Sequence, residues 1–148
     1  MRVNDLKFDL LVRAVIQQES GGKHDAVSDA GAKGAMQLMD ATGREWHGKL
    51  KIEEPYDPFN WHQNVRIGTA YLEWLCTFFS GNVELGLAAY NGGMGRVSQA
   101  VMDAHSTDWD KVKPHLKNKE GVPLYETIRY VPQVLVRYKM IEASEESV

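Results

Sequence analysis

Between Pro58 and Gly81, apolar and small residues fall at Trp61, Val65, Gly68, Tyr71, Leu72, Leu75, Phe78 and Phe79, an unbroken helical spacing. Proline before the run and glycine after it are the usual boundary residues of a helix. This is expected to be the longest helix and the centre of the core. A stripe of that width has to be covered, and the rest of the chain offers other helices to cover it.

Leu6, Leu10, Leu11, Ala14 and Val15 form a first amphipathic pattern, stopped by Gly21-Gly22. A second helix is expected from about Ala35 to Trp46, with Met36, Met39 and Ala41 inward and Asp40 and Arg44 toward water. The stretch from Lys49 to Pro58 reads as irregular. Asn82 is placed to cap a short helix through Tyr90, broken by Asn91-Gly92-Gly93. Val97, Ala100, Val101 and Ala104 mark another helix. Thr107 with Asp110 resembles a capping box for a short helix that Pro114 ends.

From Pro123 to Met140 the pattern is helical but contains Pro132, so two helices or one sharp kink are expected. Residues 142–148 are acidic and nearly devoid of apolar groups, and are expected to be frayed. Strand signals are few. The expected fold is therefore all-α and mostly helical, with at most a small irregular hairpin in the loop after Glu19, in one domain spanning residues 1–148.

Composition narrows the function. The net charge is -3, which gives no general attraction to phosphate backbones or anionic lipid, so nucleic acid is excluded as a partner. No stretch approaches the roughly 20 apolar residues of a membrane span. Asp5, Lys7, Asp9 and Arg13 interrupt the first twenty residues, so no export signal is read there. Cys76 is the only cysteine and reads as a packed core thiol. The histidines His24, His47, His62, His105 and His115 lack the spacing of a zinc helix, and no metal is expected.

Glu19 closes the first helix. Carbonyls at a helix C-terminus disfavour a carboxylate, and an apolar wall would act in the same direction, so this position suits a proton donor. In isolation it is also what any surface glutamate ending a helix looks like. The neighbouring segments decide between the two. Val15-Ile-Gln-Gln-Glu-Ser-Gly-Gly, the run Ala26-Val-Ser-Asp-Ala-Gly-Ala-Lys-Gly-Ala-Met-Gln-Leu-Met-Asp-Ala-Thr-Gly43, Ala88-Ala-Tyr-Asn-Gly-Gly and Glu126-Thr-Ile-Arg-Tyr-Val follow one another in order. Together they resemble the soluble lytic transglycosylase family, which has a goose-type lysozyme-like fold. The resemblance covers about Leu10 to Tyr138. The chain departs from the family at Ala35, usually Leu, at Asp40, often Pro, and at His24-Asp25, frequently Asn-Pro.

The resemblance implies an enzyme that cuts peptidoglycan at the β-1,4 bond between N-acetylmuramic acid and N-acetylglucosamine, leaving a 1,6-anhydromuramoyl end, with no cofactor. It implies Glu19 as general acid and then base, and Ser28, Gln37, Met39, Tyr90, Asn91 and Tyr130 as lining of the sugar cleft. For Met39, plain core packing is an equal reading. Glu126 is expected to be a buried supporting partner rather than a second catalytic acid. Two rivals stand beside this reading. One is a water-using muramidase with Asp25, Asp29 or Asp40 as the extra acid. The other is an inactive glycan-binding or structural component of a phage tail or secretion machine. Action on the cell wall, in the periplasm or outside the cell, without an export signal points to delivery by a phage virion or phage lysis system.

Overall fold

The computed structural model describes residues 1–146. Its helices are α1 (Phe8–Ser20), α2 (Asp40–Lys49), α3 (Trp61–Phe78), α4 (Val83–Gly92), α5 (Met94–Ala104), α6 (Trp109–Val112) and α7 (Tyr125–Glu146), with short 3-10 turns at Val3–Asp5 and Lys113–His115. Among the described residues, extended pairing is confined to isolated bridges, two of which, Val27 with Lys33 and Lys33 with Leu38, build the expected small hairpin after Glu19. The fold is thus mostly helical. The chain divides into two compact units, Met1–Phe8 with Leu72–Val136, and Asp9–Tyr71 with Arg137–Val148.

In the unit that begins at Asp9, Leu10, Leu11, Val12, Ala14, Val15 and Ile16 of α1 are buried, joined in the core by Met36, Leu38, Trp46, Ile52 and Ile67. Gly21 (φ +64) ends α1, its amide donating to the Ile16 and Gln17 carbonyls. Residues 34–38 form a turn and bridge instead of the first turn of a helix, so α2 starts at Asp40 and not near Ala35. The cause is Asn64 on α3. Its buried amide accepts from the Met36 N–H at 2.7 Å and donates to the Lys33 and Pro58 carbonyls at 3.0 Å each. Gly34 (φ +80) lies so close that a Cβ there would meet Asn64 Nδ2 at 2.3 Å. Met36 is consequently buried, while Met39, at the N-cap of α2, is 48 % exposed.

In the other unit, Asn82 caps α4 as expected, its Oδ1 accepting from the Leu85 N–H at 2.9 Å. The helix carries on through Asn91 and Gly92, and the break falls at Gly93 (φ +97). α5 packs on α4 and α6. The cap of α6 is Asp108, which accepts from the Asp110 N–H at 3.0 Å, and not Thr107. Pro114 sits in the first turn of the following 3-10 segment, where its missing N–H costs nothing.

α7 is a single helix of 22 residues, longer than the 18 of α3, and it runs through Pro132 without separating into two. Proline inside a helix costs about 3 kcal/mol. Pro132 is exposed, whereas Tyr130, Val131, Val134, Tyr138 and Ile141 are buried. At about 1.5–3 kcal/mol for each large apolar side chain buried, that face outweighs the lost bond. Nor is the acidic tail frayed through residue 146: Glu142 accepts from the Tyr138 hydroxyl at 3.0 Å and Glu145 pairs with Arg13 at 2.7 Å. Residues 147–148 lie outside the described part.

Cys76 is fully buried, and burial, with smaller contributions from Glu73 and Glu84, pushes its thiol up to about 12. It is a packing group pressed against α4, where a Cβ on Gly86 would stand 2.4 Å from its Sγ. Gly86→Ala should therefore destabilise the protein by about 1–3 kcal/mol through overpacking. The expected readout is a lower urea midpoint at unchanged slope, partly recovered in the Gly86→Ala, Cys76→Ala double variant.

Candidate active site

Glu19 lies half-buried in the last turn of α1, a turn without any basic side chain. The helix end is held by the next residue. Ser20 Oγ donates to the Ala35 carbonyl at 2.7 Å, lies 3.2 Å from the Ile16 carbonyl, and accepts from the Gly22 N–H at 3.0 Å. The end of α1 is in this way tied to the segment that enters α2. Ser20 is a functional residue without a role in the sequence pattern; a hydroxyl directly after Glu19, ahead of two glycines, is the one signal of it there.

The hairpin 26–38 of the same unit carries two more candidate residues. Ser28 Oγ accepts from the Ala32 N–H at 3.0 Å, which leaves its hydroxyl proton to donate. Gln37 adopts φ +52, and its Nε2 donates to the Ala26 and Gly34 carbonyls at 3.1 and 3.0 Å. The amide nitrogen is thus a structural brace, and Oε1 is the acceptor the residue offers to a ligand. Met39, 48 % exposed, is a surface group and not a core one.

At the entry to α2, Asp40 Oδ2 takes a 2.8 Å ion pair from Lys33 Nζ. That hydrogen bond holds the Asp40 carboxyl below the usual carboxylate range, against an opposing cost of desolvation and with help from the charges of Lys33 and Arg44. The other oxygen, Oδ1, and the Tyr56 hydroxyl are both buried, and the interaction of the two side chains lowers Asp40 further while raising Tyr56. Burial, followed by the charge of Asp40, raises Tyr56, whose ring also receives the Arg44 guanidinium at 4.8 Å. Asp25 and Asp29 are exposed.

The remaining candidates belong to the unit containing Leu72–Val136. Tyr90 and Asn91 sit half-buried in the last turn of α4. Asn91 Oδ1 accepts from the Thr127 hydroxyl at 2.7 Å, and its Nδ2 reaches Glu126 Oε1 at 3.5 Å. Thr127 is the residue sequence reasoning overlooked. It is buried, and a Cβ on Gly92 would meet its Oγ1 at 2.7 Å, so glycine at 92 is what lets α4 and α7 meet and fixes the Asn91 amide. Glu126 is exposed, contrary to the expectation of a buried partner, because it projects from the first turn of α7. Tyr130 is only 4 % exposed and offers little surface to a ligand.

The family model described as the transglycosylase SLT domain matches residues 8–112, more than half of the chain. The soluble lytic murein transglycosylase of Salmonella typhimurium is 31 % identical over 82 % of this chain, and the transglycosylase of Enterobacteria phage PRD1 is 38 % identical over 60 % of it. This chain spans 19 % and 30 % of those two proteins. Among solved structures, an inactive mutant of lytic transglycosylase Slt from Pseudomonas aeruginosa superposes with a TM-score of 0.76 at 34 % identity, covering 93 % of this chain and 22 % of that one. The 70-kDa soluble lytic transglycosylase in complex with bulgecin A gives a TM-score of 0.79 at 28 % identity, over 92 % of this chain and 22 % of that one.

The Asp40 carboxyl is held low when folded, so the pair contributes stability above the free carboxylate value of about 3.9, lost as pH falls through the lower folded value. Lys33→Met removes that contribution. The difference in Tm between wild type and Lys33→Met should be present at pH 6 and shrink below about pH 4; a difference constant from pH 7 to 2.5 would contradict the assignment.

Proposed function

This chain belongs to the transglycosylase SLT domain family, and from that membership we propose that it is a peptidoglycan lytic transglycosylase. Its substrate is the β-1,4 bond between N-acetylmuramic acid and N-acetylglucosamine, and its acid is Glu19. The observation that carries this reading is the half-buried Glu19 on a helix end fixed by Ser20, in one unit with the Ser28 hydroxyl and the Gln37 carbonyl.

Glu19, protonated, gives its proton to the glycosidic oxygen as the bond from C1 of the muramic sugar breaks. The 2-acetamido oxygen of that sugar stabilises the positive centre, which removes the need for a second enzymic carboxylate. The C6 hydroxyl then attacks C1, its proton passes to the Glu19 carboxylate, and the acid is regenerated with a 1,6-anhydro product. No cofactor enters the balance. Ser28 donates to, and Gln37 accepts from, hydroxyl or N-acetyl groups, and Met39 adds an exposed apolar contact. Tyr90 and Asn91 are the proposed glycan-binding residues of the other unit, with Glu126 orienting the Asn91 amide, while the burial of Tyr130 leaves it out of that set.

A water-using muramidase needs a further carboxylate. The engagement of Asp40 by Lys33 counts against the most enclosed candidate. No described helix is long and apolar enough to cross a membrane. Delivery to the wall by a phage virion or lysis system is the route we attach to this activity, supported by the phage PRD1 relative.

Glu19→Gln should keep its helical circular dichroism and Tm while losing at least the 10²- to 10⁴-fold that a general acid contributes, read as clearing of a cell-wall suspension. Mass spectrometry of wild-type digests should find muropeptides lighter by one water than reducing-end products. Reducing ends alone would assign the muramidase instead. Walls that pellet with the protein but never clear would assign a binding component.

A further inference from the structure

Apart from the candidate active-site residues, the unit built on Asp9–Tyr71 holds a cavity of about 280 Å³, lined by Ile52, Glu54, Asn60, His62, Gln63 and Arg66. Its walls are built rather than incidental. Gln63, only 8 % exposed, accepts from the Asp57 N–H at 3.0 Å and donates to the Pro55 carbonyl at 2.9 Å, which clamps the loop over α3. Asn60 Oδ1 accepts from the Gln63 N–H at 3.0 Å, leaving Nδ2 as a donor. A ring nitrogen of His47 lies 2.7 Å from the Glu54 carbonyl and holds that backbone in place. Ile52, 8 % exposed, supplies an apolar floor.

Two opposite charges share this cavity without pairing. The Arg66 guanidinium makes one long bond, 3.4 Å to the Leu50 carbonyl, and neither Arg66 nor Glu54 belongs to any ion pair among the described residues. Arg66 and His62 stand one turn apart on α3, on the same face. Collapsed together, Arg66 and Glu54 would be an ordinary surface salt bridge. Lining one pocket without pairing, they match a ligand with a carboxylate at one end and an ammonium at the other.

We propose that this cavity is a binding site for a zwitterionic amino-acid or short-peptide group, its carboxylate taken by Arg66 with Asn60 Nδ2 and its ammonium by Glu54. The chemistry fits two sources: a free amino acid, or the peptide stem that peptidoglycan strands carry. The second rests on the proposed function, and would make the cavity a contact that recognises the stem away from the bond being cut.

The test is amide NMR titration of the full chain with three probes: the unlinked stem tetrapeptide, the same peptide with its amines acetylated, and glycine. The tetrapeptide should shift the signals of Ile52, Asn60 and Gln63, with acetylation abolishing the effect. Arg66→Gln or Glu54→Gln should each weaken binding about tenfold, the worth of one charge-assisted bond. Glycine binding as tightly as the tetrapeptide would assign a free amino acid as the source. Tetrapeptide shifts that bypass these residues, or affinity unchanged in both variants, would overturn the site. The two readings fail separately: wild type that clears walls without these shifts loses only the cavity proposal, and wild type that binds the tetrapeptide here but never cuts glycan loses only the enzymatic one.

Discussion

One buried side-chain amide determines the path of the chain between the first two helices. Asn64 is 1 % exposed, yet both its oxygen and its nitrogen are satisfied by backbone groups of residues 33, 36 and 58. An unsatisfied buried amide would cost about 1–3 kcal/mol for each lost partner, so the three bonds act as a single restraint on the loop. Held there, the chain at Gly34 must turn with positive φ, Met36 enters the core, and Gln37 is driven to φ +52 with its amide nitrogen bracing the turn. Ala35 in turn receives the Ser20 hydroxyl, which fixes the end of the helix bearing Glu19. The position of the acid is thus traceable to a residue forty-five positions away on another helix.

This is also where the sequence was least legible. Residues 35–39 read as helix because Met36 and Met39 have helical spacing, and local spacing carries no record of a side chain on α3 competing for the Met36 N–H. The same blindness explains α7. Pro132 argues locally for a break, and only the buried run from Tyr130 to Ile141 shows why the helix continues. Long-range pairing likewise orders Glu142 and Glu145, which in the sequence look like part of a solvated tail. What was legible was local: the glycine stop after α1, the Asn82 cap, the bounds of α3 within a few residues, and the hairpin following the acid.

Among the site residues, chemical type was readable and environment was not. Gln37 and Ser28 read from the sequence as polar groups open to a ligand, but each spends one of its functions on its own loop, which halves what it can offer and fixes the direction of the half that remains. Asn91 is handled in the same way by Thr127. A glutamate and an asparagine in separate motifs cannot be seen as neighbours from spacing alone, and the exposure of Glu126 follows from its place in the first turn of α7 rather than from its sequence context.

The departures from the family pattern show how one restraint can replace another. At the first position of α2 the family often has proline, which fixes the backbone angle without requiring a hydrogen-bond donor. Here Asp40 occupies that position, and a negative charge at a helix N-terminus is favourable in its own right. Its pair with Lys33 reaches back into the middle of the hairpin, where the Lys33 backbone bonds both ways with Leu38 at 2.9 Å. The entry to the helix is therefore tied to the hairpin by charge instead of by a ring. Such a tether differs in kind from proline: salt screens it, because both partners are partly exposed, and substitution of either residue releases it. The hairpin carrying Ser28 and Gln37 is accordingly anchored by two independent devices, a buried amide that solvent cannot reach and an ion pair that it can.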